Sequence, residues 1–484
     1  MPHLAPFFVL ALVVACGTST DSATPDSTPG ISTTPPAVTA DGHDWTRFNV
    51  DEARSGVFDA PTGISVATLP TMQRQQVTLD GTVDAAPIYL HDVKVGGASH
   101  DVFFVTTSYG KTLAIDAGDG AILWRFTPPG YAQWAGSSRI TNATPVADPD
   151  RSAIYAASPD GHIQKLAVAD GHSMWSTAIT TLPTREKIAS ALNYSRGHVL
   201  AVTGGYIGDA PPYQGHVAVL DAATGQLLRV WNSLCSDRTG LLDPSSCGES
   251  DSAIWGRAGA VVDSATGNIF VATGNALWDG RTNWGDAMIE LDPGATRMLA
   301  NYTPSNTETL NATDADVGST SPALIDATHV VQGGKDGTIR LLDLQAMSGG
   351  TPHRGGEAQS VSTPSGSALF SAPAVWRRTD AVWIFAADGG GTAAWTYRGG
   401  TLTKAWSNGS GGTSPVVAGG LLFVYDPGGV LRVYDPATGA PVGQLQCGSG
   451  HWNSPIVADR RIALPEGSAN SHRTTGVLNI WRLP

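Results

Sequence analysis

Between Ile254 and Asp343 the chain gathers the side chains best equipped for chemistry. Asn275 ends the phrase Ala272-Thr273-Gly274-Asn275, Asp314 and Asp316 follow Thr303-Pro304, and Lys335 lies in Gly333-Gly334-Lys335-Asp336-Gly337. Amide and carboxylate oxygens are hard donors suited to a cation such as calcium. A carboxylate can also take a proton from a reacting hydroxyl. Each residue has a competing local role: a tight turn for Asn275 and a solvated hairpin for Lys335, an Asx turn or cap for Asp314 and Asp316. Chemistry therefore depends on whether the fold brings them together. Two other segments are distinctive. Residues 204–221, GGYIGDAPPYQGHVAVLD, place two prolines and two tyrosines inside a strand-like phrase. That implies an ordered loop, and loops on a rigid scaffold commonly carry function. In 448–455, GSGHWNSP, His451 and Trp452 precede a strand start and read as packing of a central channel.

The elements that must position these residues form a repeat. An apolar alternating run, a short Gly-containing turn and a second alternating run recur, as in VFFVTTSYGKTLAIDAGDGAILW at 102–124 and LLFVYDPGGVLRVYDPATG at 421–439. Period-two alternation marks strands, and Gly and Asp mark the hairpins between them. A small residue and Pro open many copies: Ala86-Pro87, Thr144-Pro145, Ser321-Pro322, Ala372-Pro373, Ser414-Pro415 and Ser454-Pro455. Proline is tolerated at a strand start, where no ladder N–H is needed. The second runs fall at Asp116, Val168, Asp221, Asp292, Asp343, Thr396, Asp435 and Ile480. Eight units at this spacing predict an all-β, eight-bladed propeller of four-stranded antiparallel blades over 42–484. The last run stops at the chain end. A strand-like segment near Trp45 is expected to pair with 477–483 and close the ring.

The Asp-Gly turns, the D-x-x-T-G endings at 221–225 and 435–439, and the Trp after several endings resemble the PQQ-repeat propellers, the quinoprotein alcohol dehydrogenase-like group. That group also includes a non-catalytic outer-membrane assembly lipoprotein, so the resemblance implies a fold more strongly than a chemistry. For a dehydrogenase it implies PQQ and calcium as cofactors. Asn275 would be a metal ligand, and Asp316 or Asp314 would be base and ligand. Lys335 and Trp255 would contact the quinone, and Arg257 or Arg281 would neutralise its carboxylates. The family's Glu ligand after a Gly-Gly pair is absent, with Asp209 the candidate replacement, and the adjacent Cys-Cys ring is missing. These departures favour a binding or scaffold propeller engaging an envelope protein or glycan through its rim. The alternative is a PQQ- and calcium-dependent dehydrogenase of an alcohol or sugar.

The first residues resemble a bacterial lipoprotein signal, 1–15, ending at Val13-Val14-Ala15-Cys16. Cys16 would carry the lipid, and the Thr/Ser/Pro-rich stretch of 16–41 reads as a disordered tether. The expected location is the cell envelope, at the outer membrane, periplasm or cell surface, or else secreted. A formal charge of −13 without basic clusters argues against nucleic acid, and leaves the lipid as the only membrane contact. Cys235 and Cys247 bracket a Gly/Pro/Ser loop in the longest repeat, which predicts a disulfide in an exported chain. Cys447 is left as a buried free thiol. No zinc-spaced cluster, Walker loop or Rossmann fingerprint occurs.

Overall fold

The computed structural model describes residues 43–206 and 209–484. The signal segment, Cys16 and the tether, together with Ile207 and Gly208, lie outside the described residues. Eight radial sheets form a propeller, with blades at 88–126, 146–178, 193–232, 261–302, 323–362, 374–408, 416–446 and 456–482. Each has four antiparallel strands, and the seventh gains a fifth, Val57–Phe58, added in parallel to Val416–Ala418. Of the eight second-run positions, five lie within third strands and Val168, Asp292 and Asp435 one residue past them, and all six small-Pro pairs end directly before first strands. Among the described residues the one α-helix is a short turn, Thr307–Ala312, and no helix is long and apolar enough to cross a membrane.

Apolar residues cluster between blades. One such cluster joins Phe104, Ala114 and Trp124 of blade one to Ile154 and Leu166 of blade two. A second signature explains the Asp-x-x-x-Gly endings. Trp124 on the outer strand of blade one donates Nε1–H to the Val168 carbonyl, 2.8 Å away, in the turn of blade two. Trp406 does the same to Pro436, 2.9 Å away, between blades six and seven. The turn glycine lies flat beneath each indole. A Cβ on Gly171 would meet Trp124 at 2.5 Å, and one on Gly439 would meet Trp406 at 2.5 Å. The tryptophan and the glycine are thus two halves of one inter-blade lock, and both glycines also hold a positive φ.

Closure differs in detail from expectation. The chain end Gly476–Arg482 is the third strand of blade eight, and its outer partner is Gln73–Leu79, with Val77 opposite Leu478. Trp45 is not in that sheet. It makes an isolated bridge with Tyr89 of blade one and stacks on Phe58, ring centroids 5.2 Å apart, as a buried plug. Cys235 and Cys247 are bonded, with Cα atoms 5.8 Å apart, inside the long connection before blade four.

Candidate active site

Because strands alternate in direction, the inter-blade connections and the links between second and third strands emerge on one face. Every residue bordering the principal cavity comes from such a segment. The connections supply Asn142, Lys187, Trp255, Arg257, His451 and Trp452, and the links supply Asp209, Tyr213, Asn275 and Lys335. Only the centre of the ring is within reach of segments from so many blades. The cavity is about 230 Å³.

Local packing sets the polar side. Asn275 follows the second strand of blade four, Ile269–Ala272, and the Thr273-Gly274 backbone before it lies against Gly318. A Cβ on Gly318 would meet Gly274 N at 2.4 Å, so glycine is what lets the 317–319 turn reach the Asn275 loop. Gln332 buttresses that turn from blade five, with Nε2 donating to the Val317 carbonyl at 2.7 Å. The backbone N–H of Lys335 donates to the Asp316 carbonyl at 2.9 Å. The side chains then meet. Lys335 Nζ is 2.6 Å from Asp316 Oδ2 and 2.5 Å from Asp314 Oδ1. Asn275 Nδ2 donates to Asp314 Oδ1 at 3.1 Å, which leaves its own Oδ1 available as a donor atom. The Lys335 ammonium lies 5.1 Å from the centroid of the Trp255 ring.

Burial dominates the electrostatics. It pushes the Asp316 carboxyl up to about 6; Lys335 opposes the rise, and Asp314 and Asp209 add to it. Lys335 is itself raised, since Asp316 and Asp314 outweigh its own desolvation. Asp286, buried beside Asp316, is pushed up to about 8 by burial and then by that neighbour. Asp209 is raised by burial, against the pull of Lys335. Among the other lining residues, burial lowers Lys187 to about 8, helped by Arg257, and lowers Arg257 to about 10 against Asp84. The cavity is thus bordered by both acidic and cationic groups.

A row of rings links them. Trp255 and Phe370 have centroids 5.8 Å apart, Phe370 and Trp452 5.3 Å, and Arg257 lies 5.6 Å from the Trp452 ring. Asp84, wholly buried, fixes Trp452. It accepts from Trp452 N at 2.7 Å, His451 Nδ1 at 2.8 Å, Ala469 N at 3.0 Å and Asn142 Nδ2 at 3.0 Å. His451 and Trp452 are therefore cavity wall, close to their expected packing role.

Of the residues singled out on sequence, Asn275, Asp209, Trp255, Arg257 and Lys335 border the cavity, and Asp314 and Asp316 join it through Lys335. Arg281 does not. It sits exposed in a turn whose N–H groups are capped by Asp279, outside the cavity lining. Lys187, Asn142, Asp84 and Asp286 were not foreseen. Lys187 is held by a two-stranded ribbon, Glu186–Lys187 against Gly204–Gly205, that no repeat signal announces.

The family described as outer membrane protein assembly factor BamB matches residues 54–241. The polyvinylalcohol dehydrogenase of Sphingopyxis sp. (strain 113P3) is 24% identical over 212 residues, spanning 41% of this chain and 31% of that protein. The chain thus matches under a third of its relative's length. Quinohemoprotein alcohol dehydrogenase from Comamonas testosteroni superposes with a TM-score of 0.67 at 16% identity, covering 92% of this chain and 82% of that one. BamB from Moraxella catarrhalis gives 0.52 at 14% identity, covering 85% and 97%. The family match covers less than half of the chain, and the chain as a whole is an eight-bladed β-propeller. The solved structures share its fold, and fold alone spans both catalytic and assembly proteins. What separates this propeller's two readings is the content of its cavity.

Proposed function

We propose that the cavity holds PQQ and a calcium ion, and that the protein is a dehydrogenase of an alcohol. The observation that carries the reading is the contact network joining Asn275, Asp314, Asp316 and Lys335 beside the Trp255 ring. The sequence departures favour a scaffold propeller, and this convergence supports the enzyme.

The residues fit the cofactors. Both carboxylate oxygens of Asp316 are buried without a well-formed hydrogen bond, one of them having only the Lys335 ammonium at 2.6 Å. With Asn275 and Asp209 they form a set of hard oxygens, which suits calcium. Trp255 offers a flat apolar surface for a planar ring system, and Lys187 and Arg257 supply positive charge for anionic groups. The quinone, when bound, is the two-electron acceptor for the alcohol carbon. The protein's own part is proton handling and placement. Asp316, at about 6, is largely ionised at neutral pH and can take the hydroxyl proton. Lys335 balances the charge of that carboxylate, and Asp314 holds both Lys335 and the Asn275 amide in place. Tyr206, Tyr213 and Trp452 form part of the wall around the reacting groups.

The test is direct. Protein incubated with PQQ and calcium should keep a quinone absorbance after desalting and reduce an artificial dye with an alcohol. Asn275→Ala and Asp316→Ala should each abolish dye reduction. Full activity in both variants would place the reaction elsewhere. Absence of both quinone retention and dye reduction would return the chain to the binding-propeller reading, which the BamB-type family match supports. Export and lipid attachment at Cys16 belong to the same proposal. Cys16→Ser should release the protein from the membrane fraction, and unchanged fractionation would exclude the anchor.

A further inference from the structure

A second cluster of metal-ligating side chains lies away from the cavity. Asp459 occupies the turn between the first two strands of blade eight, so it emerges on the face opposite the cavity loops. His91 lies in the first strand of blade one, and His43 in the arm that precedes Trp45. Three segments distant in sequence therefore meet at the seam where the ring closes. His43 Nδ1 is 3.0 Å from Asp459 Oδ1, and His91 Nδ1 is 3.0 Å from Asp459 Oδ2. The ligand atoms of the three residues all lie within 4.8 Å of one another.

The orientation of His91 is the informative detail. Its Nδ1 has two carboxylates at hand, Asp459 Oδ2 at 3.0 Å and Asp101 Oδ1 at 2.9 Å, yet forms a hydrogen bond in line with neither. His91 and Asp459 have the relation expected of two ligands of one ion, while His43 Nδ1 is hydrogen-bonded to Asp459 Oδ1 at 3.0 Å. With bonds of about 2.0–2.2 Å, neighbouring ligand atoms in a tetrahedral site sit about 3.3 Å apart and aim at the centre, not at each other. The imidazole rings of His43 and His91 stack, centroids 4.7 Å apart, which sets both Nδ1 atoms on the Asp459 side.

The surroundings are those of a supported carboxylate ligand. Tyr89 donates its hydroxyl to Asp459 Oδ2 at 2.7 Å. Arg461 reaches Asp101 at 2.9 Å and Asp459 at 3.5 Å. Two carboxylates, Asp459 and Asp101, face one guanidinium, that of Arg461, a balance that favours a further cation. Two imidazoles and a carboxylate suit zinc and its first-row neighbours, and are a poor set for calcium.

We infer that His43, His91 and Asp459 form a binding site for a divalent transition-metal ion, zinc being the natural probe, which ties the arm before Trp45 to the seam of blades eight and one. The inference is independent of the cavity's function.

Metal-stripped full-length protein would be titrated with zinc against a chromophoric chelator and its thermal unfolding followed with and without zinc. The chain carries 12 histidines, so stoichiometry must be read by difference. Expected is one tight equivalent that His43→Ala and His91→Ala each weaken tenfold or more, with loss of the zinc-dependent rise in unfolding temperature. His43 is the safer of the two to replace, because its side chain is 47% exposed. Asn275→Ala should keep the equivalent intact, and excess calcium should not displace it. Zinc affinity unchanged in both histidine variants, or no equivalent tighter than the chelator, would overturn the site and leave the cluster as hydrogen-bonded packing.

Discussion

Asp84 offers the sharpest test of how the cavity wall is held. Its Oδ2 accepts from His451 Nδ1 at 2.8 Å, Ala469 N at 3.0 Å and Asn142 Nδ2 at 3.0 Å, and its Oδ1 accepts from Trp452 N at 2.7 Å. An asparagine at this position has one accepting oxygen. In the better orientation that oxygen replaces Oδ2, and the new NH2 group faces the Trp452 N–H, donor against donor. One buried donor is then left without a partner, which costs about 1–3 kcal/mol, and three charge-assisted bonds become neutral ones. Asp84→Asn should therefore lose about 2–4 kcal/mol of stability at neutral pH. Asp435→Asn is the matched control. All three bonds to Asp435 go to its Oδ1, at 2.8–3.0 Å, so an amide oxygen can keep them and the change should stay within about 0.5 kcal/mol. The pH dependence follows from the direction of the shift. Burial alone would raise Asp84, but His451, Arg257 and the Ala469 N–H outweigh it and hold the carboxyl below its ordinary 3.8. A depressed folded-state value stabilises fully above the unfolded value and is lost as pH falls through the folded one. The gap between parent and Asp84→Asn should thus be widest near neutrality and close below about pH 4. Urea unfolding at a series of pH values reads both quantities. A gap under about 1 kcal/mol at pH 7, or one that grows on acidification, would refute this account of the wall.

Further expectations are simpler. Replacing Cys235 and Cys247 by serine should cost about 3 kcal/mol, from a loop with a sequence separation of 12, and the loss should show as a lower denaturant midpoint equal to that of the reduced parent. Burial pushes the Cys447 thiol up to about 11, so its native-state reaction with a disulfide reagent near pH 8 should be far slower than that of a free thiol and recover on unfolding. Trp124→Ala removes an indole stacked on Gly171 and its bond to the Val168 carbonyl; a loss of about 3–5 kcal/mol is expected, and one under about 1 kcal/mol would deny the inter-blade lock.

The ring could be read from sequence because each blade repeats the same local problem. Six first strands begin after Pro, and the third-strand turns at Gly171, Gly225 and Gly439 receive the neighbour's tryptophan, so the repeated copies reinforce one reading. The closing strand offered no such signal. Gln73–Leu79 is an outer strand whose first four residues, Gln-Arg-Gln-Gln, leave little apolar alternation, and its partner lies some 400 residues away. The strand-like segment near Trp45 instead serves as a buried plug, bridged to Tyr89. The site divides in the same way. Asn275 and Lys335 could be picked out because they occupy equivalent links of consecutive blades, so the symmetry that repeats the strand also superposes the turn. Lys187, Asn142 and Asp84 come from inter-blade connections, which share no pattern and meet only when distant blades close around one centre. Arg281 shows the converse error. It follows Asn275 closely in sequence, but the Asp279 cap folds its loop back on itself and leaves the guanidinium in water. Symmetry therefore reveals which turns face the axis, while the residues outside the repeat pattern enter through the irregular connections. Asp316 stands on such a connection and Lys335 on a regular link, and their 2.6 Å contact is where the two kinds of information join.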